Sequence, residues 1–186
     1  MKNIFDFILA LILLILFFIP LIFIAFFVRL DSKGSIFYKS QRVGKNKKTF
    51  FMYKFRTMHS GTPEVDTNNL VEPNKYTTGF GRILRKYSID EFPQLLNVII
   101  GEMSLVGPRP ALLSQTDLIQ ERDSLNLNSL KPGITGLAQI NGRDKLSIKE
   151  KIEFDKTYKD NQSFIFDLKI LLKTINVAWT GKDIKH

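Results

Sequence analysis

An apolar run over residues 4–28, near the start of the chain, most constrains what this sequence can fold into. Asp6 is its only charged residue. As a single helix the run would be about 37 Å long, which exceeds the roughly 30 Å of hydrocarbon in a bilayer. The run is longer than a signal-peptide core and no small-residue cleavage site follows it, so a membrane segment is predicted rather than a secretory signal.

Pro20 lies inside this run, where it removes a backbone hydrogen bond and predicts a kink at residues 18–20. The two halves would then be about 24 Å and about 13 Å long, each too short to cross the hydrocarbon layer. Lys2 before the run and the basic residues after it both favour the cytoplasmic side. These features favour a re-entrant helix that dips into the membrane and returns, and they leave a kinked spanning helix open.

The net charge of +9 is concentrated directly after the apolar run. Residues 29–58 hold nine basic residues against one acid, a net charge of +8, which suits nucleic acid, an anionic membrane surface or a phosphorylated substrate. The chain has no cysteine, which excludes disulfides, thiolate zinc sites and a cysteine nucleophile and is compatible with a reducing cytosol. Its two histidines, His59 and His186, lie far apart, which argues against a Ser–His triad.

The remaining residues predict an α/β fold, mostly helical with a small β element. Alternating apolar and basic residues on either side of positions 43–46 predict two strands joined by a turn, and polar residues 60–78 predict a loop. The turn residues of "KPGITGLAQINGR" enclose another short strand. Spacing and end signals predict helices over residues 82–87, 90–100, 112–125, 147–158 and 163–179. The last helix is broadly apolar, which suits either a core helix or one in the membrane interface.

Two adjacent carboxylates, Asp90 and Glu91, stand where the second of these helices begins. Either Ser88 or Asp90 can serve as the N-cap, and both registers place the two acids at the positive helix end. We expect their pKa values to fall there, which would make Asp90 an ionised oxygen nucleophile and Glu91 a ligand for Mg²⁺. By themselves, these residues are explained at least as well by simple helix capping.

Several basic residues are placed as phosphate ligands would be. Lys54 and Arg56 share one face of a predicted strand, Arg109 is held between two prolines in "GPRP", and Arg143 follows a tight Asn-Gly turn. A solvated basic strand edge and ordinary surface arginines explain the same residues. Because neither a P-loop nor a Rossmann fingerprint is present, arginines, lysines and a metal ion would have to carry any phosphate chemistry.

Taken together, "KFRTM", "SIDEFPQLLNVIIGEMSLVGPRP" and "KPGITGLAQINGR" behind a proline-broken apolar helix resemble the bacterial sugar transferase family. These are monotopic phosphoglycosyl transferases that load an undecaprenyl phosphate with a sugar 1-phosphate, and the chain is similar to their small, minimal form. The resemblance implies a re-entrant membrane helix over residues 1–29. It also implies a catalytic domain over residues 30–186, apposed by interfacial amphipathic helices to the cytoplasmic face of the bacterial inner membrane.

The resemblance also implies roles for individual residues. Asp90 would attack the β-phosphate of a UDP-sugar, form a phosphosugar-aspartyl intermediate and release UMP, while Glu91 would help to hold Mg²⁺. Polyprenyl phosphate would then accept the sugar phosphate, in the first membrane step of glycoconjugate assembly. The partners are therefore a UDP-sugar, polyprenyl phosphate and membrane lipids, without nucleic acid. The expected substrate-binding residues are Lys54, Arg56, Arg85, Arg109 and Arg143.

The chain departs from related small enzymes at the helix break, where Ile19-Pro20 stands in place of a frequent Ser-Pro. Two other functions compete with the transferase hypothesis. A membrane-anchored basic module could bind anionic lipid or RNA without catalysis, and then Asp90 would be dispensable. A UDP-sugar hydrolase would release sugar phosphate without needing a lipid acceptor.

Overall fold

The computed structural model describes residues 2–63 and 72–180, so part of the predicted loop over residues 60–78 lies outside the described residues. Its eight helices and five strands confirm the predicted mostly helical α/β fold. The helices are α1 Lys2–Leu16, α2 Phe18–Asp31, α3 Pro73–Tyr76, α4 Gly79–Lys86, α5 Gln94–Ile100, α6 Thr116–Ser124, α7 Ile148–Asp160 and α8 Phe164–Thr180. The strands are β1 Phe37–Val43, β2 Thr49–Phe55, β3 Ser104–Val106, β4 Ala111–Leu112 and β5 Gly133–Thr135.

The strands form two small sheets. β1 pairs with β2 in an antiparallel hairpin that runs from Phe37 opposite Phe55 to Val43 opposite Thr49, which confirms the predicted hairpin. β4 pairs antiparallel with the other edge of β1, and β3 pairs in parallel with β5 in a separate sheet. These pairings bring the loops after β3 and β5 to the same region of the fold.

The N-terminal apolar run is broken at Phe17, one residue before the predicted kink, and its two helices bend by 66°. Pro20 is the third residue of α2, where its missing N–H costs no helical hydrogen bond. Its ring would clash with the carbonyl four residues earlier, that of Leu16, so α1 ends at that residue. Among the described residues no single helix is long and apolar enough to cross a membrane, whereas α1 and α2 together are, by length and composition.

Helix α1 packs into the main hydrophobic core of the protein. Ala10 is fully buried and belongs to a cluster that includes residues of both sheets and of later helices. The buried members of this core are Ala10, Phe50, Met52, Leu95, Val98, Met103, Leu105, Val106, Ile140, Tyr158 and Ile170. The domain boundary predicted at residues 29 and 30 stays a prediction, but α1 shares its core with the rest of the fold.

A buried polar network fixes the start of α1. Ser104 Oγ donates a 2.6 Å hydrogen bond to Asp6 Oδ2, which satisfies the one acid of the apolar run. Lys2 Nζ pairs with Asp167 Oδ2 of α8 at 2.5 Å, and the Tyr158 hydroxyl of α7 donates to the other oxygen of Asp167 at 2.7 Å. The N-terminus of α1 is therefore tied to β3, α7 and α8.

Large apolar side chains remain exposed on three helices. They include Ile4, Ile15, Leu16, Phe18, Ile19, Phe23, Phe164, Ile165, Leu172 and Ile175 on α1, α2 and α8. Helix α8 buries Ile170 in the core while its opposite face stays apolar and exposed. Exposed apolar surface of this extent is typical of protein that contacts a partner or a membrane. The interfacial position expected for α8 stays a prediction.

Candidate active site

Asp90 and Glu91 lie in a 3₁₀ turn, Ile89–Glu91, that precedes α5. Both predicted capping registers are wrong, because α5 begins only at Gln94 and Ser88 adopts a left-handed conformation with φ 55°. Its side chain caps no helix. The two carboxylates are buried, with Asp90 7 % and Glu91 6 % exposed. The turn therefore directs both carboxylates into a cavity. Capping of α5 does not account for their position.

Asn97 of α5 fixes this turn relative to strand β2. Its Nδ2 donates to Phe51 O at 2.8 Å and its Oδ1 accepts from Tyr53 N at 3.1 Å. The side chain is fully buried, so β2 and α5 are held by two hydrogen bonds in a water-free interior. This contact brings Lys54, the next residue of β2, beside the acidic pair.

Three cations from distant parts of the chain converge on one oxygen of Glu91. Its Oε1 accepts from Lys54 Nζ at 2.8 Å, from Arg143 Nη2 at 2.8 Å and from Arg109 Nη2 at 3.1 Å. Arg109 comes from the loop after β3 and Arg143 from the turn after β5. The Arg143 guanidinium also donates to Ser88 Oγ at 3.0 Å. Four of the predicted site residues are thereby brought together.

The two neighbouring acids differ in their electrostatics. Burial tends to raise the pKa of Glu91, but Lys54, Arg109 and Arg143 outweigh it and hold that pKa well below its usual value. Burial raises the pKa of Asp90, and Lys54, which lies 3.8 Å away, only partly opposes the effect. The expectation of two lowered pKa values is thus right for Glu91 and wrong for Asp90. The physical reason is that burial dominates at Asp90, whereas three cations contact Glu91 and outweigh its burial.

The acidic pair lines a cavity of about 390 Å³, a size suited to a small-molecule substrate. Among the described residues that line it, eight are basic and only Asp90 and Glu91 are acidic. The basic residues include the five predicted ones, with Arg85 among them, and also Arg42, Arg122 and Lys151. A cavity with this excess of positive charge favours a polyanionic ligand.

Arg56 makes a structural contact that strand alternation did not predict. Its guanidinium donates to Ser32 O at 2.6 Å, to Lys33 O at 3.0 Å and to Val28 O at 3.4 Å. The last carbonyls of a helix lack intrahelical partners and attract a cation, so Arg56 holds the C-terminal end of α2. Because Arg56 also lines the cavity, its predicted pairing with Lys54 on a diphosphate stays a prediction.

Sequence reasoning missed Arg122, a buried residue of α6 that supports the site. Its Nε and Nη2 donate to Asp155 Oδ2 at 2.9 and 2.7 Å, and its Nη1 donates to Arg109 O at 2.9 Å. It therefore fixes the backbone that presents the Arg109 side chain. Arg122 and Asp155 are separated by 33 positions in the sequence, so no local pattern could identify this pair.

The described residues contain no group of three or more histidine, cysteine, aspartate or glutamate side chains that could hold a metal ion. This donor set still fits Mg²⁺, because that ion commonly takes one or two protein carboxylates and completes its shell with substrate phosphates and water. All three cations contact Oε1 of Glu91. Its Oε2 is therefore the oxygen that fits a metal ligand.

Comparison with known proteins identifies the family. The family model for bacterial sugar transferase matches residues 1–181. The chain belongs to the bacterial sugar transferase family. This sugar transferase is 44% identical to the uncharacterized sugar transferase EpsL of Bacillus subtilis (strain 168), over all of this chain and 91% of that protein. It is 38% identical to the exopolysaccharide production protein ExoY of Rhizobium meliloti (strain 1021), over 94% of this chain and 83% of that protein.

A longer relative has a more specific name. The UDP-glucose:undecaprenyl-phosphate glucose-1-phosphate transferase of Escherichia coli (strain K12) is 34% identical over 98% of this sugar transferase. The aligned part is 41% of that relative's length. Because it covers 98% of this chain, the match includes the 3₁₀ turn, the "GPRP" loop and the Arg143 turn, which all contribute to the cavity lining.

Proposed function

We propose that this protein transfers a sugar 1-phosphate from a UDP-sugar to undecaprenyl phosphate and releases UMP. The observation that carries the proposal is the position of Asp90, a buried carboxylate, beside Glu91, which binds three cations. Both acids lie in a cavity to which the described part of the chain contributes eight basic residues. The name of the E. coli relative supports the same reaction type. Aspartate is a suitable oxygen nucleophile for phosphorus when it is held beside positive charge.

The basic residues bind the diphosphate of the UDP-sugar. Arg109 is the most exposed of the three cations on Glu91, at 30% against 15% for Lys54 and 16% for Arg143. Arg109 is therefore the one best placed to turn from Glu91 to an entering phosphate. Lys54 and Arg143 stay close to the acidic pair and stabilise the charge that develops on the phosphoryl oxygens.

In the first half-reaction, a carboxylate oxygen of Asp90 attacks the β-phosphorus of the UDP-sugar. An acyl-phosphate bond forms between the Asp90 oxygen and that phosphorus, and the bond from the phosphorus to the bridging oxygen breaks, so UMP leaves with the bridging oxygen. The raised pKa of Asp90 makes its ionised oxygen more basic than an exposed aspartate. Glu91 Oε2 and the substrate diphosphate would hold Mg²⁺, which neutralises phosphate charge when bound.

In the second half-reaction, a phosphate oxygen of the lipid acceptor attacks the same phosphorus. A new phosphorus–oxygen bond gives undecaprenyl-diphospho-sugar, and Asp90 leaves as a free carboxylate. The protein thus returns to its starting state with its acidic pair unchanged. The two substrates react in turn at one carboxylate, which is a ping-pong cycle.

The helix pair α1–α2 is a re-entrant membrane helix that keeps the catalytic residues on the cytoplasmic face of the bacterial inner membrane. Contacts at both of its ends support this proposal: Lys2 pairs with Asp167 of α8, and Arg56 binds the carbonyls of Ser32 and Lys33. Both ends are therefore held by the same folded body. A straight spanning helix would separate them by a bilayer.

The reaction is tested by incubating the full chain in lipid nanodiscs with a panel of UDP-sugars, Mg²⁺ and undecaprenyl phosphate while following UMP. The proposal predicts UMP and a lipid-linked sugar in equal amounts, and loss of both in Asp90→Asn. Free sugar phosphate without lipid would instead indicate a hydrolase. Absence of UMP, with salt-sensitive binding of RNA or anionic lipid, would indicate a basic binding module.

A further inference from the structure

Gln139 is a cavity-lining side chain that the proposed reaction leaves without a role. It is 8% exposed, and neither Nε2 nor Oε1 has a hydrogen-bond partner among the described residues. A buried amide that leaves both its donor and its acceptor unmatched is unfavourable, and buried polar groups are normally satisfied. This amide is therefore arranged for a partner that comes from outside the chain.

The local backbone holds Gln139 close to the catalytic residues. It begins the 3₁₀ turn Gln139–Asn141, and the N–H of Arg143 closes the following turn on Ala138 O at 3.0 Å. Gly136 makes room for the amide, because a Cβ there would lie 2.7 Å from Gln139 Oε1. The same short segment thus carries Arg143, which contacts Glu91, and an unpaired amide in one cavity.

We propose that the Gln139 amide binds the imide edge of the uracil in the nucleotide substrate. Its Nε2 donates to a uracil carbonyl oxygen and its Oε1 accepts from the N3–H. This inference rests on the proposed function, which supplies a uridine nucleotide as the substrate. It assigns Gln139 to nucleotide recognition, apart from the residues that bind phosphate.

The chemistry of the amide favours the base over the other parts of the substrate. Phosphate oxygens only accept hydrogen bonds, so they would leave Oε1 of Gln139 unsatisfied. A planar imide edge offers an adjacent donor and acceptor, which a carboxamide matches with two parallel hydrogen bonds, as glutamine does with the edge of adenine. A sugar hydroxyl can also pair with an amide, and the experiment separates that case.

The test measures binding of two probes to the full chain in nanodiscs by calorimetry: UDP, and UDP methylated at uracil N3. Neither carries a sugar, so neither is turned over. Wild-type protein is expected to bind UDP about tenfold more tightly than the methylated form, because methylation removes the donor. Gln139→Leu is expected to bind UDP about tenfold more weakly than wild type and to lose the preference between the probes.

Gln115→Leu is the matched control. Gln115 lines the same cavity, but its Oε1 accepts from Leu112 N at 2.9 Å, so its amide already has a backbone partner. This variant is expected to keep the preference for unmethylated UDP. The comparison of the two probes on wild-type protein needs no variant. It therefore tests recognition of the uracil N3–H even if Gln139→Leu fails to fold.

Equal binding of UDP and methylated UDP to wild-type protein would overturn the assignment, as would a preference that survives in Gln139→Leu. A loss of affinity for UDP-sugar but not for UDP in Gln139→Leu would place the amide on the sugar and also overturn it. In each of these cases UMP release by wild-type protein would leave the proposed function standing. Failure to bind UDP together with failure to release UMP would overturn both.

Discussion

Replacing Glu91 with glutamine keeps the shape of the side chain but removes the negative charge that Lys54, Arg109 and Arg143 share. The three cations contact Oε1 at 2.8 to 3.1 Å, and Glu91 itself is 6 % exposed. In the variant these cations would stay clustered around a neutral amide. We therefore expect Glu91→Gln to lower the free energy of unfolding as well as activity.

The structure sets the size of this effect. Removing one partner of a buried ion pair costs about 3–5 kcal/mol. Asp90 lies 3.8 Å from Lys54 and compensates part of the lost charge, so a value near the lower end, about 3 kcal/mol, is expected. For a chain of this length, each 1 kcal/mol lowers Tm by about 2–4 °C, which gives a fall of roughly 6–12 °C.

Thermal unfolding of wild-type and variant protein in the same detergent measures this change. Asp123→Asn is the control, because its pair with Lys47 at 2.8 Å is exposed and should contribute little. Pyrophosphate should raise the Tm of Glu91→Gln more than that of wild type, because an anion can replace the missing charge. An unchanged or higher Tm for Glu91→Gln would refute the electrostatic account.

The pH dependence of this difference has a definite sign. The folded-state pKa of Glu91 lies well below its ordinary value of 4.5. Ionised Glu91 therefore stabilises the fold fully when the pH is above its ordinary pKa. This stabilisation is lost as the pH falls through the lower folded-state pKa. The Tm difference between wild type and Glu91→Gln should be complete at neutral pH and should shrink only in acid.

Three further predictions concern the nucleophile, the metal and the topology. Lys54→Met removes the cation that opposes the burial-raised pKa of Asp90, so the acid limb of kcat/KM should move to higher pH. EDTA should abolish UMP release and added Mg²⁺ should restore it, because Glu91 and the substrate diphosphate are proposed to hold that ion. In intact cells, the single-cysteine variants Lys2→Cys and Lys33→Cys should both react only with membrane-permeant reagents. The label then reports on the introduced position alone, because the chain has no native cysteine.

Each of these predictions has a contrary outcome. An acid limb that stays in place in Lys54→Met would mean that Asp90 does not control it. Full activity in EDTA would remove Mg²⁺ from the mechanism. Labelling of a cysteine at position 2 by an impermeant reagent, with position 33 protected, would restore the spanning helix.

Local patterns in the sequence predicted the local structure well. Alternation identified the β1–β2 hairpin, and Gly101 ends α5 in the left-handed conformation, with φ 91°, as a glycine stop signal predicts. Pro20 predicted a break to within one residue. The helix predicted over residues 147–158 is α7, which begins with a capping box from Ser147 to Glu150. In each case the deciding interactions lie within a few residues of one another.

Long-range contacts account for what local patterns could not predict. The pKa of Asp90 depends on burial and on Glu91 taking Arg109 and Arg143, which join the site from 18 and 52 residues away. Arg56 shares a strand face with Lys54, yet its hydrogen bonds go to the end of α2, which strand periodicity cannot reveal. Sequence motifs identified residues that the structure brings together in one cavity, whereas their hydrogen-bond partners and pKa shifts followed from packing.

The central claim is that Asp90 carries the sugar phosphate between the two substrates. Intact-protein and peptide mass spectrometry tests it most directly, after wild-type protein is incubated with UDP-sugar and Mg²⁺ but no lipid. The account predicts up to one equivalent of UMP, a mass increase of one sugar phosphate on Asp90, discharge by undecaprenyl phosphate, and no adduct in Asp90→Asn. An adduct on Glu91, or UMP release that always requires both substrates with no adduct, would contradict it.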